Sequence, residues 1–192
     1  MKTTKRIKIG IGAVLFVMIF LFLHFNLPRT AVVQISGTDI KRMDKAVDVK
    51  DKEDSAEKQV QAVTSTEDVR FVNSVSRKGK PMVFKNEDTG WGWPPYFKFN
   101  SADVTAEAQA FANDQGKPWV LVKYYGWRFT LFSMFPNVLD LKKVDKDYTH
   151  IPLFNIVFLI LLITVVFMIR YKVKQFFSKR GGKEKDHKKM VN

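Results

Sequence analysis

The 192-residue chain contains no cysteine and only three histidines. Without cysteine there is no disulfide, so a domain of this chain depends on its core for stability. The residue types that usually bind structural zinc are also nearly absent. His24 and His150 lie at the ends of hydrophobic segments, and His187 lies in a basic tail. We therefore expect no metal site and no cofactor.

Sequence motifs for catalysis are also scarce. A nucleophilic triad needs a base, and the segment between the two hydrophobic runs offers only His150. Glu87 and Asp88 lie beside a Trp-rich stretch, and paired carboxylates near aromatic residues are typical of glycosidases. Neighbouring residues of an extended chain, however, point to opposite faces. We expect no catalytic residue and no enzyme activity, and an envelope hydrolase using Asp or Glu is a remote alternative.

Two long segments, Ile9–Leu27 and Leu153–Ile169, contain no Asp, Glu, Lys or Arg. As helices they would span about 28 and 26 Å, close to the thickness of the bilayer's hydrocarbon core. We predict transmembrane helices at 9–27 and 151–169. The alternatives are a cleaved signal peptide for the first, although no small-residue cleavage site follows it, and a buried core helix for the second.

The formal net charge of +13 is distributed unevenly. Residues 1–8 carry +4 and residues 170–192 carry +7, whereas residues 28–150 carry only +2. Basic residues flank the cytoplasmic side of membrane helices. This pattern predicts a two-pass protein with both termini in the cytoplasm and residues 28–150 in the periplasm. The tail's expected partner is the lipid bilayer, whose anionic headgroups attract basic segments, and no nucleic-acid partner is expected.

The segment between the hydrophobic runs has the pattern of a small α+β domain. We predict a mostly antiparallel sheet of four to six strands with one packed helix, flanked by the two transmembrane helices. Residues Tyr96–Phe99 are expected to rejoin the sheet, and residues 46–65, charged and free of aromatics, to form a mobile excursion. The main expected elements are a strand at Thr30–Thr38, a hairpin at Asp68–Asn86, a helix at Asn100–Gly116, and strands at Pro118–Arg128 and Phe132–Val144.

The stretch EDTGWGWPPYFKF, Glu87–Phe99, is the most unusual local feature. We favour a structural plug, in which at least one of Trp91 and Trp93 is buried and its indole N–H has a hydrogen-bond partner. The alternatives are a binding platform for a glycan, lipid or protein, and an anchor at the membrane interface. The candidate ligand or partner surface comprises Trp91, Trp93, Tyr96, Trp127, Glu87 and Asp88.

Four segments occur in order between or at the hydrophobic runs: RFVNSV, NEDTGWGWPPYFKFNSADV, YYGWRFTLFSMFPNV and IPLFNIVF. They resemble an uncharacterised bacterial inner-membrane protein family, catalogued as domain of unknown function 1523. The resemblance extends from about Leu23 to about Ile169. It implies an inner-membrane protein of a Gram-negative bacterium and assigns no catalytic residue. We expect a two-pass protein that displays a periplasmic interaction or envelope-maintenance domain, with another envelope protein or a glycan as candidate partner.

Overall fold

The computed structural model describes residues 2–46 and 64–190. Within these residues the chain is α+β, with five strands and three α-helices. It divides into two compact units, residues 1–150 and 151–192. The elements are α1 (Lys2–Asn26), β1 (Arg29–Ala46), β2 (Thr64–Ser76), β3 (Pro81–Asn86), α2 (Ser101–Asn113), β4 (Trp119–Tyr125), a single 3-10 turn (Thr130–Phe132), β5 (Asn137–Val144) and α3 (Leu153–Met190).

The five strands close into a barrel in the order β1-β2-β3-β5-β4. Strands β1 to β3 follow one another, and β4 returns beside β1, which is a Greek-key arrangement. β5 then closes the barrel between β4 and β3. All pairings are antiparallel except β3 with β5, which meet in parallel at Lys85 and Asn137. A five-stranded Greek-key barrel is the architecture of OB-folds.

The barrel core is built from alternate residues of the strands together with one face of α2. On β2, Val72 points into the barrel, and Phe84 of β3 lies beside it. The apolar stripe of α2 packs on the same core, as its spacing predicts. The core comprises Val33, Ile35, Val72, Phe84, Val104, Ala108, Val120, Val122, Val138 and Leu141, with Phe111 and Ala112 packed against it.

The predicted hairpin is confirmed, with Gly79 at a φ of +72° in the turn between β2 and β3. The prediction that Tyr96–Phe99 rejoins the sheet is wrong. Phe97 has a φ of +50°, which a strand does not adopt, and the Lys98 side chain is buried among polar groups. These residues therefore stay in the loop between β3 and α2.

Most of the predicted excursion, residues 47–63, lies outside the described residues. Its flanks are strand residues: Ala46 pairs with Thr64, and Lys45 pairs with Ser65. The first predicted strand is correspondingly longer than expected, because β1 continues to Ala46.

Among the helices of residues 2–46 and 64–190, two are long and apolar enough to cross a membrane. The apolar windows are Ile9–Asn26 of α1 and Leu153–Phe176 of α3, and no residue of either window is buried. A core helix of a folded domain would be mostly buried, so the core-helix alternative for the second segment has no support. α1 leads into β1 after only two residues, Leu27 and Pro28.

Candidate functional site

The end of α1 lies between two aromatic loops of the barrel. The first is the β3–α2 loop, residues 87–100. Trp93 Nε1 donates a hydrogen bond to Oδ1 of Asn26 at 2.9 Å, and the Tyr96 hydroxyl donates to the Asn26 carbonyl. The Trp93 ring also stacks on Phe22, with ring centroids 5.7 Å apart. This loop therefore satisfies polar groups in the last turn of the helix, which have no partner within the helix itself.

The second is the β4–β5 loop, residues 126–136, which contacts the same turn of α1. Trp127 Nε1 donates to Nδ1 of His24 at 2.7 Å, and the Gly126 N–H donates to the Phe25 carbonyl at 2.9 Å. The Trp127 ring meets Phe25 edge-on at 5.4 Å. The Arg29 guanidinium donates back to the Gly126 carbonyl. α1 is thus fastened to the barrel by both loops.

The prediction that at least one of Trp91 and Trp93 is buried is wrong. Trp91 is 84% exposed and Trp93 is 67% exposed. Trp91 meets two rings of its own loop edge-on, Phe97 at 5.4 Å and Phe99 at 5.8 Å between ring centroids. The position beneath the loop is occupied instead by the buried side chain of Lys98. Polar residues hold the loop on the barrel, and the indoles remain outside.

Each of the two loops exposes several large apolar side chains. Phe129 and Phe132 stack on each other at 5.2 Å without becoming buried. We call this set the aromatic collar: Trp91, Trp93, Phe97, Phe99, Phe129, Leu131, Phe132 and Met134.

The two candidate carboxylates have separate structural partners. Asp88 accepts hydrogen bonds from the Ser101 N–H at 2.9 Å and from the Ser101 hydroxyl at 2.7 Å, so it caps the N-terminus of α2. Asn100, the residue before the helix, makes no side-chain cap bond. Glu87 pairs with Lys85 at 2.5 Å. Each carboxyl group thus has a partner of its own within the fold.

Lys98 is a buried residue whose role the sequence does not indicate. Its ammonium donates to Oδ1 of Asn86 and to the Val138 carbonyl, the latter at 2.8 Å. Burial lowers the pKa of Lys98 to about 8, and the nearby charges of Asp88 and Glu87 oppose that shift. No periodicity could have located this residue, because its partners come from β3 and β5.

Asn86 and Asn137 complete the polar attachment of the loop. Asn86 Nδ2 donates to the Ser101 carbonyl at 2.7 Å. Asn137 accepts from the Glu87 N–H at 2.9 Å and donates to the Glu87 carbonyl at 3.0 Å. Burial raises the pKa of Tyr125, whose hydroxyl accepts a hydrogen bond from Asn137. These bonds fix both ends of the loop that carries Trp91 and Trp93.

Within residues 2–46 and 64–190, no three His, Asp or Glu side chains are grouped to hold a metal ion. The site offers indole and phenol rings, guanidinium groups and exposed apolar surface around the end of a hydrophobic helix. These groups are suited to binding and positioning.

A family model described as a protein of unknown function (DUF1523) matches residues 4–177. A protein of Haemophilus influenzae, which bears the name "Uncharacterized protein", is 34% identical over 172 residues. That match covers 85% of this chain and 94% of the relative. No solved structure matches the chain.

Proposed function

The chain belongs to the DUF1523 family, and from this premise we propose that it is a two-pass inner-membrane protein that holds a small β-barrel against the periplasmic surface of the bilayer. The observation that carries the proposal is the attachment of both aromatic loops to the last turn of α1. The last turn of a helix that is apolar enough to cross the membrane therefore accepts hydrogen bonds from the loops of the barrel.

These bonds favour a retained anchor over a cleaved signal peptide. Removal of α1 would take away the acceptors on Asn26, Phe25 and His24. Four donors would then lose their partners, those of Trp93, Tyr96, Gly126 and Trp127. If α1 were removed during export, the mature domain would lack these hydrogen-bond acceptors, so the bonds favour a helix that is retained.

The aromatic collar suits the membrane–water interface. Trp and Tyr are enriched at this level because one end of each ring is apolar and the other is polar. Trp93 stacks on Phe22, four residues before α1 ends. At 1.5 Å per residue this contact lies about 6 Å back along the helix. The collar would therefore enter the interfacial layer when α1 spans the bilayer.

Charge supports the orientation. Residues 1–8 and 170–192 are strongly basic and the intervening segment is nearly neutral, so both termini belong in the cytoplasm by the positive-inside bias. We propose a non-enzymatic role for the barrel, as an interaction or envelope-maintenance domain. The carboxylates that a hydrolase would need are engaged with Ser101 and Lys85.

A second candidate is a glycan-binding module. The 84% exposure of Trp91 favours it, because an exposed indole face can stack on a sugar ring. Glycan binding would weaken on Trp91→Ala with the membrane attachment unchanged.

Topology is testable with single cysteines, since the natural chain has none. Lys78 lies exposed in the β2–β3 turn, and Lys188 lies in the basic tail. In intact spheroplasts a membrane-impermeant maleimide should label Lys78→Cys and not Lys188→Cys, and both should react after lysis. Labelling of Lys188→Cys before lysis would contradict the two-pass orientation.

The position of the collar is testable by quenching with brominated phospholipids in nanodiscs. Two variants would each retain one tryptophan, Trp93 or Trp119. Trp119 begins β4, six residues before Tyr125 and about 20 Å along the strand from the loops. Trp93 should be quenched strongly and Trp119 should not. Equal quenching of the two would refute placement of the collar in the interface.

A further inference from the structure

A shallow cavity of about 490 Å³, open along most of its surface, lies beside α1 where the helix meets the β4–β5 loop. Its size falls within the range of roughly 300–1,000 Å³ that is usual for small-molecule sites. One wall is apolar and belongs to the membrane-spanning part of α1, and the other carries two guanidinium groups. The lining residues are Phe20, Leu21, His24, Arg29, Trp127, Arg128 and Phe129.

Arg29 is only partly satisfied by the protein. Its guanidinium donates to the Gly126 carbonyl and lies over the ring of Tyr124, 5.3 Å from the centroid. Its Nε, however, is buried and has no hydrogen-bond partner. A buried donor left unpaired is costly. Arg29 forms no ion pair with any described residue, so no carboxylate in that part of the chain balances its positive charge.

Arg128 is held in place by two contacts, and most of its guanidinium N–H donors remain unused. Nη1 donates to the Met134 carbonyl at 2.9 Å, and the guanidinium stacks over Phe135, 3.9 Å from the ring centroid. A guanidinium has five N–H donors, so this single bond leaves most of them unused. Arg128 likewise has no acidic partner within the described part of the chain.

His24 contributes a further donor to the cavity. Trp127 Nε1 donates to its Nδ1, so that nitrogen is an acceptor. In the neutral imidazole the proton then lies on Nε2. Two cations, Arg29 and Arg128, consequently lie on the side of the cavity formed by β1 and the β4–β5 loop. The α1 side combines the hydrocarbon of Phe20 and Leu21 with the donor of His24.

We propose that this cavity binds an anionic phospholipid, with its phosphate between Arg29 and Arg128 and an acyl chain along Phe20 and Leu21. Guanidinium groups bind phosphate through paired hydrogen bonds. An anionic headgroup would offer an acceptor to the unpaired Nε and would balance one of the two positive charges. The apolar wall favours a lipid over free phosphate. This inference rests on the proposed function in one respect, that α1 spans a bilayer.

The experiment is native mass spectrometry of the full-length protein released from nanodiscs of phosphatidylcholine with phosphatidylglycerol as a minor component. The parent should retain one phosphatidylglycerol in preference to phosphatidylcholine. Arg128→Gln should reduce that retention roughly tenfold, the effect of losing one charge-assisted hydrogen bond. Lys142→Gln removes an exposed charge from β5 and should leave retention unchanged.

Arg29→Gln also breaks the bond to Gly126, so its folding must be checked by near-ultraviolet circular dichroism. Leu21→Trp gives an independent test, because it fills the apolar wall and leaves both guanidinium groups intact. It should also reduce lipid retention. Inorganic phosphate added in excess should not displace the lipid, since it cannot occupy the apolar wall.

Three results would overturn the proposal: equal retention of the two lipids, retention unaffected by Arg128→Gln and Leu21→Trp, or displacement by phosphate alone. None of these results depends on which side of the membrane the barrel faces. Failure of the lipid site is therefore distinguishable from failure of the topology, which the maleimide labelling measures separately.

Discussion

The buried ammonium of Lys98 should make the barrel more stable as the pH rises. Its pKa is lowered from 10.5 to about 8 in the folded protein, chiefly because burial disfavours the charged form. Between these two values the unfolded chain binds more protons than the folded one. The free energy of unfolding therefore increases with pH in this window. Below pH 8 both states are protonated, and the cost of burying the charge is fully present.

The magnitude follows from the separation of the two pKa values. One pKa unit corresponds to about 1.4 kcal/mol, which is the largest slope per pH unit that one group can give. Between about pH 7.5 and 9.5 the expected gain is about 1–2 kcal/mol. This is a measurable share of the roughly 5–15 kcal/mol that stabilises a typical domain. Above about pH 10 the raised pKa values of Tyr96 and Tyr125 act in the opposite direction.

The assay is urea unfolding of the full-length protein in mild detergent, followed by near-ultraviolet circular dichroism at several pH values. Lys98→Met is the matched control, because it keeps an unbranched side chain and removes the titrating group. The midpoint of the parent should rise with pH, and that of the variant should stay constant. A parent midpoint that is flat or falls, or an equal rise in Lys98→Met, would refute the reasoning.

Three further predictions concern the barrel and its attachment to α1. Phe84→Ala should lower the free energy of unfolding by about 3–5 kcal/mol in the same urea assay, because Phe84 is fully buried in the core. Gly126→Ala should cost about 1–3 kcal/mol, because this glycine has a φ of +88°, a backbone conformation that residues with a Cβ rarely adopt. Replacing residues 47–63 by Asn-Gly should leave the midpoint unchanged, because Ala46 and Thr64 are paired and a two-residue turn can join them. A large loss of stability in this last variant would show that the replaced segment contributes to the fold.

Elements specified by local patterns were predictable from the sequence. The apolar stripe of α2 predicts a helix that packs on the core, and in the structure its residues do so. These residues are Val104, Ala108, Phe111 and Ala112. The β2–β3 hairpin follows from alternation and a glycine turn. Closure of the sheet could not be predicted in this way, because it depends on β5 meeting β3 at Lys85, a contact between strands distant in sequence.

The polar attachment of the β3–α2 loop could not be predicted from the sequence either, because it also depends on residues that are distant along the chain. In YFKF, Lys98 alternates with aromatic residues, which favours a strand with the lysine facing water. In the structure Lys98 is buried and the neighbouring Phe97 and Phe99 are exposed. That inversion is possible because Asn86 and the Val138 carbonyl supply acceptors for the ammonium. Burial of a lysine depends on such partners, which local sequence does not display.

The exposure of Trp91 and Trp93 bears on two alternatives that the sequence leaves open, a structural plug and an anchor at the membrane interface. A structural plug and an interfacial anchor require the same residue, a large apolar ring whose N–H has a partner. The stretch around Trp91 and Trp93 satisfies either requirement equally well. What distinguishes them is the acceptor of Trp93, which is Asn26, 67 residues earlier at the end of α1. Under the proposed topology, in which α1 spans the bilayer, an indole tied to the last turn of this helix lies near the level where the helix leaves the hydrocarbon core. The exposed ring of Trp93 would then contact lipid, which is what the interfacial anchor requires and the structural plug does not.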